Sequence, residues 1–188
     1  MIKYKKIICI VSVLLLAIIL GTVFSSIYNA FLLETYPREY SEQVSAMASE
    51  YCIPEAIIYA VIRTESDFDE NAVSSAGAVG LMQIMPSTFE WLTNDVLKEN
   101  LPIESIKDPD TNIKYGVAML SRLYKYYGNW ETVFAAYNAG MGNVNKWLED
   151  RTISDRNGNL RNIPFEETRR YIEKVTNAIK VYNKLYYK

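Results

Sequence analysis

Two patterns of apolar positions divide the chain. From Ile7 to Leu33 no charged residue occurs. The part from Ile7 to Ile27 already supplies the ~20 residues that cross a bilayer. Beyond Tyr40 the apolar residues recur at helical spacing instead. Val44, Met47, Ala48 and Tyr51 make one stripe, and Ile57, Ile58, Val61 and Ile62 make the next, with Pro54 suited to a first helical position. A short helix carrying Phe89, Trp91 and Leu92 is expected to open at Pro86–Ser87. Asp108 reads as an N-cap ahead of Pro109 for a helix with Ile113, Val117, Leu120 and Leu123, stopped at Gly128. Trp130 to Ala139 reads as a helix, Gly140 and Gly142 as a bend, and Val144, Trp147 and Leu148 as a short helix. The segment 151–163 is polar and turn-rich, and reads as the most mobile part and a possible cleft rim. A last helix follows Pro164 with Tyr171, Val175, Ala178, Ile179 and Tyr182 on one side. The expected class is all-α: residues 1–33 a membrane-spanning helix, 34–39 a linker, and 40–188 one helical domain.

Glu65 breaks the second stripe. Counting by fours, Ile57, Val61 and Glu65 share one line of the helix surface. A carboxyl at the C-terminal end of a core-facing stripe is disfavoured as an anion by desolvation and by the helix dipole. A protonated carboxyl near neutral pH is what a general acid needs. The same position also fits the solvated end of a helix. A Gly-rich loop follows, with Gly77 and Gly80 before Leu81, Met82, Gln83, Ile84 and Met85. It lacks the spacing and the lysine of a phosphate-binding loop.

Four blocks then occur in order: Glu65-Ser66, SSAGAVGLMQIMPST from Ser74 to Thr88, AAYNAG from Ala135 to Gly140, and ETRRYI from Glu167 to Ile172. Together they resemble the catalytic domain of soluble lytic transglycosylases, bacterial enzymes with a goose-type-lysozyme-like fold. The resemblance covers roughly Tyr40 to the C-terminus. It implies a lysozyme-like helical domain that cleaves the MurNAc–GlcNAc bond of peptidoglycan glycan strands and leaves 1,6-anhydro ends. Glu65 would be the catalytic acid and then the base. Tyr137 would donate a hydrogen bond that orients Glu65 or stabilises developing charge. Gln83 and Asn138 would bind sugar amides or hydroxyls, Met82 would form an apolar wall, Ser66 would touch substrate or else cap a turn, and Glu167 would touch substrate or else a structural partner nearby. Two other readings stay open: a hydrolytic muramidase, and a membrane-tethered wall-binding or scaffold protein with an inactive site.

Composition narrows this further. Lys3, Lys5 and Lys6 precede the apolar run, which is too long for a cleaved signal and lacks an Ala-x-Ala site. An uncleaved single-pass anchor in a bacterial cell membrane is expected, lysines inside and the C-terminal domain on the cell-wall side. Without those three lysines, 17 basic residues stand against 22 acidic ones, a net −5. No basic stripe is visible, so nucleic acid is not an expected partner. There is no histidine, and only Cys9 and Cys52. No metal or cofactor is expected, nor a disulfide, and Cys52 is expected to pack as a small hydrophobe. Most of the 15 tyrosines are expected to be structural.

Overall fold

The computed structural model describes residues 2–155 and 159–187. About 72% of the chain is helical, and no strand forms among the described residues. Two compact units separate after Pro37: Met1–Pro37 and Arg38–Lys188.

The first unit is helix α1, Ile2–Thr35. Its Ser12–Thr35 part has a mean hydropathy of 2.0 and is long and apolar enough to cross a membrane. Its large side chains, from Val13 to Phe31, are exposed all round. The helix runs past the expected end at Leu33. Neither Glu34 nor Thr35 breaks a helix, whereas Pro37 pushes Tyr36 out of the helical region. The side chain of Cys9 lies outside the described residues.

Among its described residues the second unit holds seven α-helices: α2 (Ser41–Tyr51), α3 (Glu55–Ser66), α4 (Pro86–Trp91), α5 (Pro109–Tyr127), α6 (Trp130–Ala139), α7 (Met141–Glu149) and α8 (Glu166–Tyr186). A π-helical turn, Leu92–Leu97, continues α4, and a 3₁₀ turn spans Ile103–Lys107. The expected helix order is found. Pro54 is the N-cap of α3 rather than its first helical residue. Gly142 is inside α7, so Gly140 alone, at φ +83°, makes the bend.

At the centre lies α3. Its residues Ala56 to Ile62 are all buried, not only the stripe the spacing predicts. Tyr59 and Ala60, off that stripe, are covered because α8 packs along α3 while α2 closes another side. A helix apolar on every side belongs in an interior, and each buried Ile or Val contributes about 1.5–3 kcal/mol. Helix α5 packs on α2 and α6, and α6 also meets α7 and α8. Ala135 and Ala136 are buried at these contacts, where their small side chains permit close approach.

Helix α3 stops abruptly. Asp67 caps it at φ +51°, and Phe68 follows at φ +68°. Two consecutive non-glycine residues in this region are uncommon. They turn the chain away one residue past Ser66, so nothing continues the helix over Glu65.

The loop after α3 folds on itself through Val73–Val79 and Val79–Ile84 bridges. Asn112, 1% exposed on α5, pins it down. Its Oδ1 accepts from the Met82 N–H at 2.8 Å, and its Nδ2 donates to the carbonyls of Val79 and Ile106, both at 2.9 Å. A Cβ at Gly80 would overlap that amide, and one at Gly116 would overlap the Met82 side chain. These two glycines are therefore fixed by close approach.

One further expectation is corrected. Cys52 is exposed: it caps α2 at φ +55°, on the surface rather than in the core. The segment 151–163 is tied at its ends, with Leu160 and Ile163 buried and a Ser154–Leu160 bridge. Its residues 156–158, on which the expected mobility partly fell, lie outside the described residues.

Asn112→Ala would strand one buried donor and two carbonyls, each costing about 1–3 kcal/mol. Urea unfolding of the detergent-solubilised chain should show a loss of roughly 2–4 kcal/mol. A loss under about 0.5 kcal/mol would mean that the loop does not depend on this amide.

Candidate functional site

A cleft of about 510 Å³ opens at the C-terminal end of α3. It is lined by Thr64 and Glu65 from α3, Asn138 from α6, and Glu166, Glu167, Arg170, Tyr171 and Lys174 from α8. Among the described residues, none of the segment 151–163 lines this cleft.

Glu65 is half-buried at the penultimate position of α3. No cation lies within salt-bridge reach of it among the described residues. Burial pushes its carboxyl up to about 7. The phenol of Tyr171 opposes this, because its proton favours the charged carboxylate, and the negative charge of Glu167 adds to the rise. Tyr171 is buried, and its hydroxyl has no hydrogen bond of ordinary geometry. Its pKa and that of Tyr137 are driven up by burial and by the nearby Glu65. Both phenols therefore keep their protons throughout the range in which Glu65 titrates.

The other sequence-predicted residues divide by what their polar atoms already do. Tyr137 does not reach Glu65 with its proton: its hydroxyl donates to the Met82 carbonyl at 2.8 Å. Ser66 is turned back into the fold, its hydroxyl facing the carbonyls of Leu81 at 2.9 Å and Ile62 at 3.2 Å. Met82 is fully buried against Gly116 and forms no wall of the cleft. Gln83 sits at φ +47°, and its amide nitrogen donates to Gly80 at 2.9 Å and Ala72 at 3.1 Å. Only its amide oxygen remains for a ligand. It lines a small slot of about 60 Å³ with Ile84, Met85, Thr88, Met119 and Tyr137.

Asn138 is held differently. Its Oδ1 accepts from the Thr168 hydroxyl at 2.7 Å, so α8 orients the amide. Its two amide hydrogens have no protein acceptor among the described residues, which leaves them for an acceptor on a ligand. Glu167 is exposed in the cleft, where its charge acts on Glu65. Asp67 instead pairs with Arg63, and Asp69 accepts from the Asn71 N–H at 2.9 Å. Neither lines the cleft, so the second carboxylate near Glu65 comes from α8.

Sequence reasoning missed Tyr171 and Asn112. Tyr171 looked like one more residue of the α8 core stripe. The available signal for Asn112 was an amide within the apolar face of α5, three and four residues before Tyr115 and Gly116. No group of three or more Cys, Asp or Glu suited to a metal occurs among the described residues.

The sequence and the fold have known relatives. Residues 42–159 match the family model described as Transglycosylase SLT domain. The soluble lytic murein transglycosylase of Escherichia coli K12 is 37% identical over 149 residues, covering 76% of this chain and 22% of that protein. The membrane-bound lytic murein transglycosylase C of Salmonella arizonae is 30% identical over 174 residues, covering 81% and 48%. The crystal structure of the 70 kDa soluble lytic transglycosylase of Escherichia coli superposes with a TM-score of 0.72 at 32% identity, covering 81% of this chain and 25% of that one. The chain thus spans about a fifth of the soluble relatives and about half of the membrane-bound one.

An ionised Glu65 costs stability, so the sign of its pH dependence is set. With the folded pKa raised, stability is full below about pH 4.5 and is lost as pH rises through about 7. Glu65→Gln escapes that loss. Chemical denaturation across pH should show the variant gaining on wild type between about pH 4.5 and 7, to an advantage of roughly 1–3 kcal/mol above it. An advantage that is constant with pH would contradict the raised pKa.

Proposed function

Because the chain belongs to the transglycosylase SLT family, we propose that it cleaves the β-1,4 bond between MurNAc and GlcNAc in peptidoglycan, leaving 1,6-anhydro-MurNAc ends. The observation that carries this reading is Glu65, a carboxyl with a pKa of about 7 at the head of the cleft. At neutral pH it exists in both protonation states, as a group that must act first as acid and then as base requires.

Protonated Glu65 gives its proton to the glycosidic oxygen as the bond to the muramoyl C1 breaks. Positive charge develops at C1, and the N-acetyl carbonyl of the same sugar can shield it. The Glu65 carboxylate then takes the proton of the muramoyl 6-hydroxyl, whose oxygen closes on C1. One C–O bond breaks, one forms, no water is consumed, and Glu65 regains its proton. Tyr171 steadies the carboxylate in the interval when it is charged. Asn138, held by Thr168, offers amide hydrogens to the sugar, and the Gln83 oxygen offers an acceptor.

The presence of Glu167 beside Glu65 favours a second reading, a hydrolytic muramidase, in which that carboxylate would activate water. The two differ in product. For location, an apolar helix and a relative named membrane-bound support anchoring of this chain in a membrane. We extend this to a single-pass anchor of residues 1–33 and a linker of 34–39, with residues 40–188 on the cell-wall side, since Lys3, Lys5 and Lys6 favour the cytoplasm.

Purified chain in detergent should release muropeptides from cell-wall sacculi that are lighter by one water than reducing-end products, as read by mass spectrometry. The rate should fall as pH rises above about 7. Folded Glu65→Gln should lose at least about 100-fold. Reducing ends would assign the hydrolytic reading, and near-normal turnover by Glu65→Gln would remove Glu65 as the acid.

A further inference from the structure

Helix α8 presents two lines of residues to the cleft. Glu166, Arg170 and Lys174 follow one another at four-residue spacing, and Glu167 and Tyr171 form a parallel line beside them. The second line acts on Glu65, as described. The first has no part in that chemistry, although all three of its members line the same cleft.

The neighbouring arginines of this helix differ in use. Arg169 is committed to the fold, its guanidinium donating to the backbone carbonyls of Ile163 and Pro164. Among the described residues Arg170 pairs only with Glu166, an exposed i,i+4 pair on the same helix. Such pairs are worth about 0.3–0.5 kcal/mol, so an incoming carboxylate can replace Glu166 at little cost. Lys174 has no carboxylate within salt-bridge reach among the described residues. Two cations without a strong protein partner thus stand side by side in the cleft of a domain that is otherwise net acidic. At a rise of 1.5 Å per residue they lie roughly 5–12 Å along the helix axis from Glu166 and Glu167. Arg170 and Lys174 both line the same cleft as Glu65, so a substituent on a sugar whose glycosidic oxygen is at Glu65 meets them there. An arginine and a lysine together suit a carboxylate, the first by its planar fork and the second as a mobile point charge.

We infer that Arg170 and Lys174 form a carboxylate-reading wall of the cleft, which selects glycan strands whose muramoyl residues carry a free acidic group beside the scissile bond. This rests on the glycan-cleaving reading above. The acid has two sources: the lactyl carboxylate of a muramoyl residue that has lost its peptide, or the carboxylates of an attached stem peptide.

The test compares three glycan preparations: strands bearing stem peptides, strands stripped of them, and strands whose carboxyls have been converted to neutral amides. Full-length wild type is compared in detergent with Arg170→Gln/Lys174→Gln and with Lys125→Gln, which removes a charge from α5 outside the cleft lining. The double variant should raise KM about 5- to 20-fold on acidic strands, with the main effect in KM rather than kcat. The difference from wild type should vanish on amidated strands and weaken at high salt. Lys125→Gln should follow wild type on all three. A KM effect confined to stripped strands assigns the lactyl carboxylate as ligand, and one confined to peptide-bearing strands assigns the stem. If wild type cuts the strands but the double variant shows no KM change, or the same change on amidated strands, this inference falls alone. If wild type cuts none of them, the proposed function falls and takes the inference with it.

Discussion

A carboxyl group kept partly out of water, with no cation tied to it among the described residues, is the constraint on which the rest of this molecule depends. Ionising such a group is costly, and proteins ordinarily avoid the cost by supplying a partner or by leaving the group in solvent. Here the fold does neither. It closes α3 on all sides as far as Ile62, lets Glu65 reach only into a cleft, and brings Glu167 near enough to make the anion costlier still. The phenol of Tyr171 is what eases the charged state.

Much of the remaining structure can be understood as support for that arrangement. The sharp end of α3, with two residues at positive φ, leaves the carboxyl uncovered. The Gly-rich loop is set beside it by one buried amide on a different helix, and the glycines are the positions where any side chain would collide with that support. Tyr137 closes the arrangement by reaching from α6 to the Met82 carbonyl of the same loop. Thr168 fixes Asn138, and so α6, to α8. Three helices and a loop distant in sequence therefore share a few hydrogen bonds around one acid.

The helices were legible because their signals are local. Asp108 accepts from the Thr111 N–H, Gly128 caps α5, and α6 runs over the residues that its pattern predicts. Glu65 was legible because a carboxyl on an apolar line is a local contradiction. The roles of its neighbours were less so, since a side chain's partner is set by packing across the fold. Met82 and Ser66 belong to the matching blocks, yet Met82 is buried and Ser66 is turned into the fold, so both support the loop from beneath. Tyr171 was hidden for the opposite reason: its spacing is that of a core residue, and it is one, but its hydroxyl faces the acid. Cys52 was misjudged because composition speaks of average burial, while a cap residue in the left-handed region sits where the chain turns outward.

The central claim concerns a single ionisation, and it can be observed without any substrate. Carbon-13 NMR of side-chain carboxyls, with the Glu65 resonance assigned by its loss in Glu65→Gln, gives that ionisation directly. The account predicts a midpoint of about 7, moving downward when Glu167 is replaced by Gln. A midpoint near 4.5, unmoved by Glu167, would mean that the carboxyl is an ordinary solvated acid and that the reasoning built on it is wrong.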